Sequence, residues 1–168
     1  VGEGTGGYIS LANATLDDPA ELYIEKFRPD PFDPTVSFVD SLQVGNIHGL
    51  GGQLNLYRPN GWGYESQFCV NLGGALADTS WLDAGDVPMV AFHTVFDPFA
   101  PFTEGIVIVP TTGGPVVPVQ GSNLFMELVN DYGNNASFAS LPDGDPYTDR
   151  ARDLYGSTQT HGANSVQI

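Results

Sequence analysis

In a chain of 168 residues, 20 acidic side chains stand against 5 Lys and Arg, a net charge of −15. Phosphate backbones and anionic membrane surfaces both demand clustered cations, so the charge argues against nucleic-acid binding and against docking on acidic lipid. No run approaches the roughly 20 apolar residues of a membrane span, and the length suits one domain with a sizeable core.

The chain opens with Val1-Gly2-Glu3-Gly4-Thr5-Gly6-Gly7-Tyr8 and runs on through an apolar stretch to Ala12. Four glycines in seven residues suit a tight strand-to-helix turn, where the backbone bends sharply and the helix packs close to the sheet. Gly2, Gly4 and Gly7 also satisfy the spacing of a phosphate-cradling G-x-G-x-x-G. That motif wants an acidic residue at a second strand end about 20 positions further on. Glu21 and Glu25 fall in helix or loop instead, and the net charge argues against a polyphosphate ligand.

Residues 13–66 read as loops and short helices. Asn13-Ala14-Thr15 and, later, Asn135-Ala136-Ser137 match the short N-glycosylation pattern. Asp30-Pro31-Phe32-Asp33-Pro34 is turn-rich, because each residue before proline is pushed out of the helical region. His48 stands among glycines, facing a site or simply exposed. Tyr57, Trp62, Tyr64 and Phe68 line a cleft or cap the core.

Gln67 to Ala75 reads as a core strand ending at Gly73-Gly74. Within it, Cys69 is the only cysteine, a buried thiol by default. The acidic connection from Asp78 to Asp86 is too short for a long crossover helix. Pro88 to His93 is the next buried strand. It breaks at His93 and Asp97, and two prolines follow. An Asp delivered at the carboxyl end of a buried parallel strand lies where open α/β sheets keep their chemistry. The plainer alternative is that Asp97 caps the next turn. Glu104 to Val119 carries two β-branched runs about Gly113-Gly114-Pro115, a small hairpin. Ser122 starts a helix with Leu124, Phe125, Leu128, Val129 and Tyr132 at helical spacing, closed by Gly133. A second helix is predicted over Asp145–Gly156, with Asp145 as N-cap and Pro146 in the first turn. Asp143, Asp145 and Asp149 form a calcium candidate without the full EF-hand pattern.

The opening glycines and the run from Asn71 to Phe102 resemble the α/β-hydrolases, in particular secreted esterase- and lipase-like members. On the nucleophile elbow G-x-S-x-G, Gly2, Gly4 and Gly6 take the first, third and fifth places. Glycine therefore stands where the family keeps its nucleophile. Thr5 is the alternative nucleophile in a shifted elbow, although Glu3 would then occupy a place that wants glycine. The resemblance makes Asp97 the residue that orients a catalytic histidine, and His161 follows in the right chain order.

The fold it implies is α/β: the C-terminal part of a mostly parallel sheet flanked by helices, with residues 16–66 as a lid-like insertion and a small β-hairpin. It also implies that the preceding strands, and the loop giving the second oxyanion amide, lie outside this sequence. A half-sheet bares a strand edge, so the expected partner is the missing N-terminal segment or another copy of the chain. The implied location is extracellular or at the cell surface, and no cofactor is required. Two functions stay open. One is an esterase-like protein acting on a small ester or a polymer, its catalysis impaired by Gly4. The other is a non-catalytic extracellular structural or binding subunit that self-associates.

Overall fold

The computed structural model describes residues 1–55, 65–139, 146 and 165–167. Four strands form one parallel sheet in the order β1 (Gly2–Glu3), β2 (Cys69–Leu72), β3 (Met89–His93) and β6 (Ser165–Gln167). The register sets Gly2 against Asn71, Cys69 against Met89 and Ala91 against Ser165. β4 (Glu104–Ile108) and β5 (Pro115–Gln120) pair antiparallel as a separate hairpin, irregular between Ile106 and Ile108. The mixed α/β class, the parallel sheet and the small hairpin expected from the sequence are therefore present. The helix predicted over Asp145–Gly156, the aspartates 143, 145 and 149, His161, and the aromatics Tyr57, Trp62 and Tyr64 lie outside the described residues.

Helix α1 (Thr5–Thr15) follows β1 directly and lies against β1 and β2. Its buried positions, Gly7, Leu11 and Thr15, recur every four residues and so share one face. Helix α3 (Ser122–Asp131) buries Ser122, Phe125, Met126 and Val129, again a single stripe, and packs on β3 and β5. Gly133, at φ 76°, turns the chain just beyond it. Both helices feed one core: Leu11 from α1, Phe125, Met126 and Val129 from α3, with Cys69, Met89 and Ala91 from the sheet between them.

Strand alternation sends Cys69, Asn71, Met89, Ala91 and His93 into that core. The opposite face carries Val70, Leu72 and Val90, half-buried, and Phe92, 39% exposed. Among the described residues, both long helices thus cover the same face of the sheet.

The link between β2 and β3 holds one 3-10 turn, Thr79–Trp81, and no crossover helix, as its length predicts. Residues 16–55 are likewise short turns: Pro19–Tyr23, Glu25–Phe27, and α2 (Ser41–Val44), which is capped by Asp40. Among the described residues, Glu21, Lys26 and Phe27 dock this segment. The Trp81 indole N–H donates to the Glu21 carbonyl at 3.0 Å, and Phe27 stacks on Trp81 at 5.8 Å. Lys26 donates to the Ala77 and Pro118 carbonyls at 2.6 and 3.0 Å, and pairs with Asp78 at 2.9 Å. After α3 comes α4 (Ala136–Ala139). Just before it, Asn134 accepts from the Gly85 N–H and Asn135 from the Met89 N–H, both through Oδ1, fixing the entry to β3.

Candidate functional site

The carboxyl ends of β1, β2 and β3 stand side by side, tied by the backbone. Gly4 N–H donates to the Leu72 carbonyl at 2.9 Å, and Gly73 N–H to the Phe92 carbonyl at 2.8 Å. Gly4 sits between β1 and α1 with φ 53° and ψ −118°. That is a sharp strand-to-helix elbow in a backbone region L-residues seldom enter. Among the described residues, a Cβ placed on Gly4 would meet nothing within 4 Å, so the elbow leaves room there for a side chain that the sequence does not supply.

The neighbouring glycines are different. A Cβ on Gly2 would collide with the Gly6 carbonyl oxygen. One on Gly7 would stand 2.5 Å from Asn71 Oδ1 and 2.9 Å from the Gly74 backbone. Gly7 and Gly74 therefore let α1 close onto the turn after β2. Asn71 holds that turn by accepting from Gly74 N–H at 2.9 Å and donating to its carbonyl at 2.8 Å. Gly6 has no neighbour within 4 Å of a Cβ. Thr5 is exposed and helical, the first residue of α1; all positive-φ residues described are glycines.

Asp97 reaches the same edge from the turn after β3. Its Oδ1 accepts from the Phe99 and Ala100 N–H groups at 2.8 and 2.9 Å. Oδ2 lies 3.9 Å from where a Cβ on Gly73 would be. Tyr8, one turn along α1 from Gly4, keeps its hydroxyl out of solvent and without a hydrogen bond among the described residues. Burial pushes that phenol up to about 12, and the Asp97 charge adds to the push. Sequence reasoning passed over Tyr8. Its signal was the i, i+4 spacing from Gly4.

His93, paired with Asp97 in the sequence pattern, points elsewhere. Its ring is buried, its Nε2–H donates to the Ala100 carbonyl at 3.0 Å, and Phe102 packs edge-on at 5.7 Å. It holds the turn that carries Asp97. His48 lies toward the other end of the sheet, lining a cleft with Asp86 and Val87. His161 and the aspartates 143, 145 and 149 cannot be assigned a place, being outside the described residues. Among the described residues the carboxylate cluster dense enough to hold an ion is Asp17, Glu21 and Asp83, with oxygens within 4.8 Å of one another. Two of the three are exposed, and Glu21 Oε2 already accepts from the Asp17 and Asp18 N–H groups at 3.0 Å.

The two glycosylation patterns stand differently, Asn13 being exposed and Asn135 buried. Thr15 Oγ1 is buried and donates to the Leu11 carbonyl, and the Asn135 side chain is buried against Met89. No helix among the described residues is long and apolar enough to cross a membrane. Comparison with protein-family models, curated proteins and solved structures finds no match for this chain.

Proposed function

We propose that this chain is a secreted α/β-hydrolase-like protein, related to esterases and lipases, in which catalysis is lost because glycine occupies the nucleophile's place. The observation that carries the reading is Gly4, with φ 53° and ψ −118° between strand and helix and open space over its Cα. An acyl-transfer nucleophile has to be a hydroxyl or thiol held at such an elbow, within reach of a base. Gly4 offers neither; three parallel strand ends in a row, with Asp97 at the third, support the resemblance. Thr5 supports catalysis less well, since its backbone is helical and the bend falls one residue earlier.

Labelling with a fluorophosphonate probe, beside turnover of a short-chain p-nitrophenyl ester, tests this. The expected result is no label and no turnover above background. A label on the wild-type chain that Thr5→Ala abolishes would make Thr5 the nucleophile and overturn the reading.

A second reading, a non-catalytic subunit that self-associates, is favoured by one observation. The sheet face bearing Val70, Leu72, Val90 and Phe92 is only partly covered, whereas parallel sheets are normally buried on both faces. Sedimentation velocity across a concentration series separates the two, because a monomer at every concentration removes this second reading.

A further inference from the structure

Beside the Tyr8 hydroxyl, three buried side-chain atoms have no hydrogen bond among the described residues: His93 Nδ1, Gln120 Oε1 and Ser122 Oγ. His93 is 1% exposed and Ser122 0%. Buried polar atoms in native proteins almost always have a partner, from the protein or from ordered water.

The fold gathers the three at one end of the core. Asn135, just past α3, accepts from the Met89 N–H, so the end of α3 lies at the start of β3. At the other end, the Asn123 N–H donates to the Phe102 carbonyl at 3.0 Å, and the Phe102 ring packs on His93. α3 is therefore antiparallel to β3, and its first buried residue, Ser122, comes to the last residue of the strand, His93. Gly121 is extended, with φ −78° and ψ 176°, so Gln120 and Ser122 leave the chain on the same side.

The three atoms have fixed roles. A carbonyl only accepts, so His93 Nε2, bonded to the Ala100 carbonyl, carries the ring proton. A second proton on Nδ1 would bury a charge, which leaves Nδ1 a bare lone pair. Gln120 Oε1 also accepts, and the Ser122 hydroxyl supplies a donor. Two acceptors and one donor are the complement of one water molecule, and about three hydrogen bonds are usual for a buried water. An anion would face two lone pairs, and a metal ion would find only neutral groups among the three.

We propose that one internal water binds where β3, the end of β5 and the start of α3 meet, donating to His93 Nδ1 and Gln120 Oε1 and accepting from Ser122 Oγ. The water fixes the imidazole that holds Ala100, and with it the turn in which Asp97 bonds the Phe99 and Ala100 N–H groups. This site is independent of the Gly4 elbow and stands whether or not the chain hydrolyses esters.

A crystal structure of the full chain, at a resolution that places ordered water, tests this. The expected result is one water peak at about 2.7–3.2 Å from all three atoms. Magnetic relaxation dispersion of the water oxygen gives a second readout, since it counts long-lived internal waters in solution. Ser122→Val, whose methyl groups take the water's place, should hold one fewer than wild type. Should that variant fail to fold, the wild-type density decides alone. A direct hydrogen bond between Ser122 and His93, a side chain from residues 140–164 at that point, no water peak, or an unchanged count in Ser122→Val would each overturn the proposal.

Discussion

A methyl group added at Gly7 would press on Asn71 Oδ1 at 2.5 Å and on the Gly74 backbone at 2.9 Å, whereas one at Gly6 would meet open space. Neither position has a positive φ, so strain plays no part and space alone decides the sign. Gly6→Ala should leave stability unchanged or raise it by up to about 0.5–1 kcal/mol, through the lower chain entropy of alanine. Gly7→Ala should lower it by roughly 1–3 kcal/mol, the cost of overpacking against backbone that cannot yield. Urea midpoints of the two variants check this, and a shift in the same direction for both would refute the packing assigned to α1. At Asp86 the prediction concerns pH. Its carboxyl stands at about 6 in the folded chain against an ordinary 3.8, so between these values the folded state holds a proton that the unfolded state has released. Stability contributed by this group therefore falls as pH rises through that window and is lost above it. Asp86→Asn keeps an acceptor for the Asp83 N–H and removes the charge. Its stability relative to wild type should increase from pH 4 to pH 7, read from paired thermal melts.

At the scale of elements, the segment over residues 16–55 is held by few polar anchors for its length among the described residues. Its short turns bury no residue of their own, since none in Pro19–Tyr23, Glu25–Phe27 or Ser41–Val44 is buried. The hold includes Lys26, which joins the segment to the turn after β2 and to β5, Trp81 under Phe27 and bonded to the Glu21 carbonyl, and Leu16 and Ile24 packed on the core. Asp78 belongs to the same anchor. Burial pushes its carboxyl up, but the Ser80 N–H and Lys26 together outweigh burial and hold it below the usual range. Lys26→Met would leave the Ala77 and Pro118 carbonyls without their donor and Asp78 without its cation, a loss of about 1–3 kcal/mol. Hydrogen exchange should locate that loss. Amides of the insertion, such as Phe38 bonded to the Phe27 carbonyl, should exchange faster, while those of β2 and β3 keep their protection. Uniform loss of protection across the molecule would mean that Lys26 supports the whole core rather than one element.

At the scale of the molecule, the covered and the partly covered faces of the sheet set its behaviour in solution. Core residues from α1 and α3 meet on one face, and Phe92 stands 39% exposed on the other with Phe96, 91% exposed, shortly after it. Apolar area left in water drives association in proportion to its extent, while a charge of −15 opposes it through repulsion that salt screens. If the second reading holds, association should strengthen as salt is raised, and Phe92→Glu should abolish it without unfolding the chain. Light scattering at low and high salt measures both effects, and an assembly that salt weakens would point to a polar contact elsewhere.

What the sequence determined by itself was local in its physics. The α3 stripe, the hairpin about Gly113-Gly114, the strand ending at Gly73 and the strand-to-helix bend in the first residues follow from periodicity and from glycine's freedom, which near neighbours in the chain express. The short link after β2 ruled out a crossover helix by length alone. The tertiary structure decided everything that depends on which distant atom lies opposite. Gly4, Gly6 and Gly7 look alike in the sequence, yet one is a bend with room above it, one is open and one is a close contact with Asn71. His93 and Asp97, read as a pair, divide into a buried strut and an edge carboxylate because strand alternation sends the first into the core. Asn135, a glycosylation pattern on paper, is the acceptor for the Met89 N–H. Asp17, Glu65 and Asp86 share a cleft although long stretches of chain separate them. Such proximities are set by packing free energy summed over the whole chain, and no window of neighbouring residues contains them.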